Sequence, residues 1–269
     1  MNDQDGLVDR RALARTYDGG AYEDGWAAVL DYQAVMRYAS EHPTKGSYAV
    51  SSALEIPRSR IRPWIDGDSR PDAVRALEAA EKYGWLEATY GDTEFVVLNT
   101  LAANVFSGGS ITTENYQPSF ALNINGEDSH VIDVLDAADL DYQLAHRDDD
   151  GRATEVRPSE DDPVLGRVLT VLGAPVGPKA HVDDFSLPWY LEDAPHETRK
   201  MFVLAYVANR TLHQPTKRTV QIQEEQPQSY RDELAALIQD VAGERVTSGE
   251  RMVTISADAA RSLGIRPRN

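Results

Sequence analysis

The chain has 269 residues, no cysteine and a formal net charge of −17, which leaves room for two domains or one large one with a real core. The absence of cysteine excludes disulfides, thiolate zinc sites and Cys nucleophiles together, and no apolar run is long enough to span a membrane. Such acidity argues against nucleic acid at first sight, although only five of the 27 basic residues are lysine and the rest are arginine.

Residues 1–25 are polar and charged without clear periodicity and read as a flexible lead-in. No basic-then-apolar leader opens the sequence, so a cytoplasmic protein is expected. Ala27–Ser40 places Val29, Leu30, Ala34, Val35 and Tyr38 at helical spacing and ends at the EHPTKG run. Ser47–Leu54 follows as a short helix with Ala49, Val50, Ala53 and Leu54 on its apolar side. Pro57 then introduces RSRIRPW, proline being well suited to a first helical turn. A supporting helix, a second helix, a turn and a short arginine-rich helix is the order of a helix-turn-helix unit. Asp72–Tyr83 is a further amphipathic helix stopped by Gly84, and Trp85-Leu86 with Phe95-Val96-Val97 reads as extended.

The unit is assigned to residues 26–97, and its arginines Arg58, Arg60, Arg62 and Arg70, with Arg75 nearby, are the densest basic cluster of the chain. Arginines spaced by two cannot all point one way on a helix, so some face DNA while Ile61 and Trp64 anchor the core. The other reading is an arginine-rich surface loop balanced by Asp66, Asp68 and Asp72.

Residues 98–269 read as α+β and as a tandem repeat. The first copy has an apolar helix, Leu101–Gly109 (LAANVFSGG), then a strand within Tyr116–Asn125 and an amphipathic helix, Ser129–Leu140. A hairpin of Tyr142–Arg147 and Thr154–Arg157 follows, and Asp162–Leu172 closes the copy. The second copy has a helix at Glu197–Arg210, a strand at Thr219–Gln223, a helix at Gln228–Ala242, a strand at Arg251–Ser256 and a last helix at Ala257–Leu263. In both leading strands apolar residues alternate strictly with polar ones: Phe120, Leu122 and Ile124 with Ser119, Asn123 and Asn125, and Val220 and Ile222 with Thr219, Gln221 and Gln223. Period-two alternation puts one face on helices and leaves the other to solvent or a ligand.

The stretch LAANVFSGGSI, the second helix RKMFVLAYVANRT and the connection GAPVGPKAHVDDFSLPWYLEDAP together resemble the LAGLIDADG homing endonucleases. In the connection the resemblance lies in the proline turn, a G-x-K at Gly177–Lys179 and a Leu-Pro pair before the next helix. The resemblance implies an αββαββα repeat, two packed motif helices, and an open sheet face that forms a saddle over duplex DNA. The motif's metal-binding acids are missing: the key positions hold Gly108 and Arg210, and the other acid position is Phe106. Neither glycine nor phenylalanine can ligate a metal, and an arginine there would repel one and could hold a phosphate instead. With the N-terminal unit, the combination is similar, in reversed domain order, to the WhiA-type regulators.

The expectation is therefore a duplex-DNA-binding transcriptional regulator without enzymatic activity, metal or cofactor, sufficient as a monomer with pseudo-twofold symmetry. Its DNA contacts would be Arg58, Arg60, Arg62, Arg70, Ser119, Asn123, Lys179, Arg210, Lys217, Thr219, Gln221 and Gln223. Amide side chains there can pair with base edges, although Glu224 and Glu225 at a strand end would repel phosphates. No HExxH, GxSxG, P-loop or GxGxxG pattern is present, and the DDD turn at Asp148–Asp150 reads as a solvated hairpin tip. The competing readings are a nuclease or nickase with an unlisted acid, and an RNA-splicing maturase. The acidic, lysine-poor composition resembles that of salt-in halophiles such as haloarchaea. At ~1 M salt the Debye length is only about 3 Å, so repulsion of DNA by a net negative protein is screened.

Overall fold

The computed structural model describes residues 6–122, 130–146, 153–182, 184–212 and 218–265. The chain forms two compact units, Met1–Glu87 and Ala88–Asn269, so the break falls ten residues before the one read from sequence. Among the described residues no helix is long and apolar enough to cross a membrane.

The first unit is all helical: α1 (Arg10–Arg15), α2 (Gly25–Glu41), α3 (Ser47–Leu54), α4 (Arg58–Ile65) and α5 (Asp72–Lys82). Residues 6–25 are part of this unit and not a lead-in. The Asp9 carboxylate caps α1 by accepting from the Ala12 N–H at 2.6 Å, and Asp24 caps α2 from Ala27 at 2.8 Å. Val8, Leu13 and Ala14 are buried, and α1 approaches α2 so closely that a Cβ on Gly25 would lie 2.1 Å from the Ala14 carbonyl oxygen. Val35 of α2, Val50 of α3 and Ile61 of α4 are each 0% exposed and form one core, ringed by Tyr38, Leu54, Ile56, Trp64 and Ile65. The turn from α3 to α4 is tight: Glu55 takes a left-handed φ of 57°, and the Ser51 hydroxyl donates to the Ile56 carbonyl at 2.7 Å. Trp85-Leu86, read as extended, is a buried turn after α5.

The second unit is α+β with antiparallel sheets. Its order is α6 (Thr93–Ser107), β1 (Ser110–Ile111), β2 (Pro118–Ala121), α7 (His130–Ala137), β3 (Tyr142–Ala145), β4 (Glu155–Pro158) and α8 (Asp162–Val171). After two short 3-10 turns the order recurs as α9 (His196–Arg210), β5 (Thr211–Leu212), β6 (Val220–Gln223), α10 (Gln228–Ala242), β7 (Val246–Ser248), β8 (Met252–Ile255) and α11 (Ala257–Ser262). Each half builds a four-stranded sheet of the same order, β1-β2-β4-β3 and β5-β6-β8-β7. Phe95-Val96-Val97, read as extended, opens α6 instead, because α6 is buried from Val97 to Ser107 and its apolar residues pack all round. The alternation read in the two leading strands holds where it is described: Phe120, Leu122, Val220 and Ile222 are buried, while Ser119, Gln221 and Gln223 lie on the other face; Val253 and Ile255 of β8 join the buried side.

Candidate nucleic-acid interface

Helices α6 and α9 pack side by side and run in the same direction. The Asn99 amide donates to the Thr198 carbonyl at 3.0 Å, and near the C-terminal ends the Asn209 amide donates to the Ser107 hydroxyl at 2.9 Å. Two helix C-termini therefore meet at one foot, each with unpaired carbonyls and partial negative charge. Two cations answer them. Lys179, from the connection between the halves, donates from Nζ to the Phe106 carbonyl at 3.0 Å. Arg210 is the last residue of α9, and its Nη2 lies 3.2 Å from Oε2 of Glu224.

Glu224, expected as an exposed acid at a strand end, is 1% exposed. Its carboxylate accepts from the Tyr206 hydroxyl, from Arg210, and from the Gln226 N–H at 3.2 Å. It is too far inside to repel phosphates, and it engages one nitrogen of the arginine that was to hold one. Burial pushes the Lys179 amine down to about 8, the Arg210 charge adds to this, and Glu224 opposes it. Burial alone would lower Arg210 as well, but Glu224 outweighs it and holds the guanidinium above its ordinary range. Because the folded amine lets go of its proton about where the unfolded one still holds it, charging Lys179 opposes folding below about 8, and that penalty fades as pH rises toward 10.5. Wild-type protein should thus gain stability relative to Lys179→Met between pH 8 and 10.5, measured by denaturant unfolding.

Phe106 fills an aromatic cluster, stacked on Tyr230 (centroids 6.2 Å) and edge-on to Phe185 (5.5 Å) and Phe202 (6.2 Å). Gly108 is exposed beyond the helix end. This foot does not fit a divalent cation: two fixed positive charges face one carboxylate whose oxygens already accept. Among the described residues no three His, Asp or Glu side chains gather so as to hold a metal ion.

The two sheets differ on their open faces. In the second, Gln221 pairs with Thr254 and Thr254 with Thr247, an uncharged row of one amide and two hydroxyls across three strands. Gln223 pairs with Met252 beside it, and Thr219 precedes the strand. In the first, the Ser119 hydroxyl donates to Glu155 at 2.8 Å and Arg157 donates to the same oxygen at 2.7 Å. Burial would raise Glu155, but Arg157 and Ser119 outweigh it and hold the carboxylate below its usual range. Ser119 was read as a base contact and is instead turned to an acid on its own sheet. Thr247, Thr254, Glu155 and Arg157 escaped sequence reading; period-two alternation in β4 and β8 was the signal for the last three, whereas Thr247 lies in β7, which is too short to show one. Asn123, Lys217 and the Asp148–Asp150 turn lie outside the described residues.

In the first unit the arginines separate. Arg58 and Arg62 are four apart on α4, share a face and are exposed. Arg58 Nε donates to the Ser47 hydroxyl at 3.3 Å, and Arg62 Nε is 3.7 Å from Asp66. Arg60 turns away: its guanidinium lies over the Tyr22 ring at 4.4 Å and Nη2 donates to the Ala21 carbonyl at 3.4 Å. Its predicted DNA contact is corrected on that ground, since residues two apart on a helix point roughly 200° apart. Arg70 is paired with Glu78 at 2.7 Å, and Arg75 with Asp72, so these two follow the surface-loop reading. Ser59 of α4 and Tyr48 at the start of α3, the latter 72% exposed, are exposed as well and were not singled out from sequence.

No protein-family model matches the chain, and no curated protein matches it.

Proposed function

We propose that this protein binds duplex DNA in a sequence-specific way and acts as a transcriptional regulator, on a LAGLIDADG-like scaffold whose metal acids have been replaced. One observation carries the reading: the order αββαββα occurs twice, and its two leading helices run in parallel to a foot occupied by Lys179 and Arg210 where metal-binding carboxylates would be needed. The uncharged row Gln221–Thr254–Thr247 supports it, because amides and hydroxyls on an open sheet face suit base edges without drawing phosphates indiscriminately. The α3–α4 pair supports it too, joined by a three-residue turn and pinned by Val50 and Ile61, with Arg58 and Arg62 on one exposed face. Two pseudo-equivalent halves on one chain let a monomer meet a two-sided site, and a second DNA-binding unit adds avidity where its spacing matches the duplex.

The test is incubation with a randomised duplex library in concentrated potassium chloride with magnesium, recovering bound and cut fragments separately. One enriched motif with every duplex intact is the expected result; cuts at a fixed position would overturn it in favour of a nuclease. Arg58→Ala with Arg62→Ala should weaken binding about tenfold or more, whereas Arg60→Ala should lower stability through its Tyr22 contact and leave affinity per folded molecule nearly unchanged.

A further inference from the structure

Lys179 and Arg210 are over-supplied with donors. An ammonium carries three N–H groups and a guanidinium five. Among the described residues, Lys179 donates to one acceptor, the Phe106 carbonyl, and Arg210 directs one nitrogen at Glu224 and lies against the Tyr206 hydroxyl. Arg210 Nε is buried with no hydrogen-bond partner. Glu224 cannot absorb the surplus, since its oxygens already accept from Tyr206, Arg210 and the Gln226 N–H. The rings of Phe106, Phe185, Phe202 and Tyr230 around the base of α6 offer apolar surface.

Arg231 shows what a saturated structural arginine looks like in the same unit. It is 7% exposed and donates to the carbonyls of Gly249, Gln226 and Glu224 and to the Gln228 side chain. Arg210, by contrast, keeps its side chain 34% exposed, so part of the foot is open to solvent while its Nε stays buried.

A buried donor without an acceptor is costly, and a charged one more so. The group that answers both cations is anionic, has acceptors only and presents several oxygens at once. We propose that Lys179 and Arg210 form a seat for a phosphate-type oxyanion, in which two fixed cations hold directly what a metal-bearing foot would hold through an ion. The same chemistry is met by a phosphodiester of bound duplex or by a free phosphate or sulfate ion; assignment to the phosphodiester rests on the DNA-binding reading above. The groups facing the Lys179 amine are the Phe106 carbonyl of α6, Arg210 of α9 and Glu224 after β6. With Arg210 pressing on it, Lys179 is the cation that titrates, and the anion is released as the amine loses its proton.

The full chain is tested at constant ionic strength in potassium chloride, with sulfate as the first probe because its charge does not change in the range used. Sulfate should raise the melting temperature of wild-type protein at pH 6.5 and not at pH 9. Lys179→Met should show no sulfate shift at either pH, and Lys179→Arg should keep the shift at both. Equal shifts in wild type and Lys179→Met, or none in wild type at either pH, would overturn the seat. Should Lys179→Met fail to fold, the loss of the wild-type shift at pH 9 and its persistence in Lys179→Arg decide alone. A second arm uses the duplex enriched from the library, whose affinity should drop about tenfold in Lys179→Met. Undiminished duplex affinity in that variant overturns the seat and leaves DNA binding standing. A sulfate response that depends on Lys179, with no duplex captured at all, keeps the seat and removes the DNA reading.

Discussion

Arg210→Met should lose about 3 kcal/mol of stability at neutral pH, because it strands the Glu224 carboxylate in an interior where it is 1% exposed. The remaining donors, the Tyr206 hydroxyl and the Gln226 N–H, satisfy lone pairs but bring no opposite charge, and of the two cations at the foot only Lys179 is left to face it. The loss should be at the low end for a broken buried pair, since the arginine side chain keeps a third of its surface in water. Glu224→Gln in the same chain should recover most of it: the amide oxygen still accepts from Tyr206 or Gln226, and no charge is left to bury. A double-mutant cycle by urea unfolding reads the coupling directly, and additive single effects would show that the pair does not neutralise itself.

What the sequence made legible follows the reach of its periodicities. α10 matches Gln228–Ala242 end to end, because Tyr230, Leu234, Ile238 and Val241 repeat at helical spacing over four turns. β6 was legible from Val220 and Ile222 alone, but β1, β5 and β7 run for two or three residues, too short for a period to declare itself. Phe95-Val96-Val97 looks like strand by its β-branched and aromatic residues; burial of α6 on nearly every side overrides that propensity. The first 25 residues look polar throughout, yet three apolar side chains and two capping aspartates suffice to dock α1.

The site was legible only where it is local. Gly108 and Arg210 stood out by their positions in the motif, but the partner of Arg210 lies 14 residues further along the chain and the ring beneath Arg60 lies on the stretch read as lead-in. Period-two spacing carries Glu224 on from Val220 and Ile222 to the buried face and Glu225 to the other, but nothing in the sequence shows what pairs with Glu224. Lys179 was picked out as a linker lysine, but its burial comes from the α6 end and α9, which only the folded unit brings beside it.

Phe106 and Gly108, the two positions that the proposed LAGLIDADG-like reading sets against acids, should respond oppositely when an acid is introduced. Phe106→Asp should cost about 4 kcal/mol or prevent folding: it deletes a ring that is 2% exposed and leaves a carboxylate among Phe185, Phe202 and Tyr230. Gly108→Asp should be tolerated within about 1 kcal/mol. Gly108 is exposed, its φ of −157° lies outside the left-handed region, and among the described residues an added Cβ would meet only the Ala121 methyl, at 3.3 Å. The neighbouring glycine has no such latitude, since a Cβ on Gly109 would lie 2.5 Å from the Ser119 carbonyl oxygen. Thermal unfolding of the three variants, Phe106→Asp, Gly108→Asp and Gly109→Ala, separates these cases. Only the first and third should be severely destabilised. A destabilised Gly108→Asp would mean that the foot is closed on the β2 side, and that Gly108 was selected for close packing there. A stable one means that packing does not demand glycine there, so that under the proposed reading the replacement of chemistry rests on Arg210 and Lys179, which supply the positive charge at the helix ends themselves.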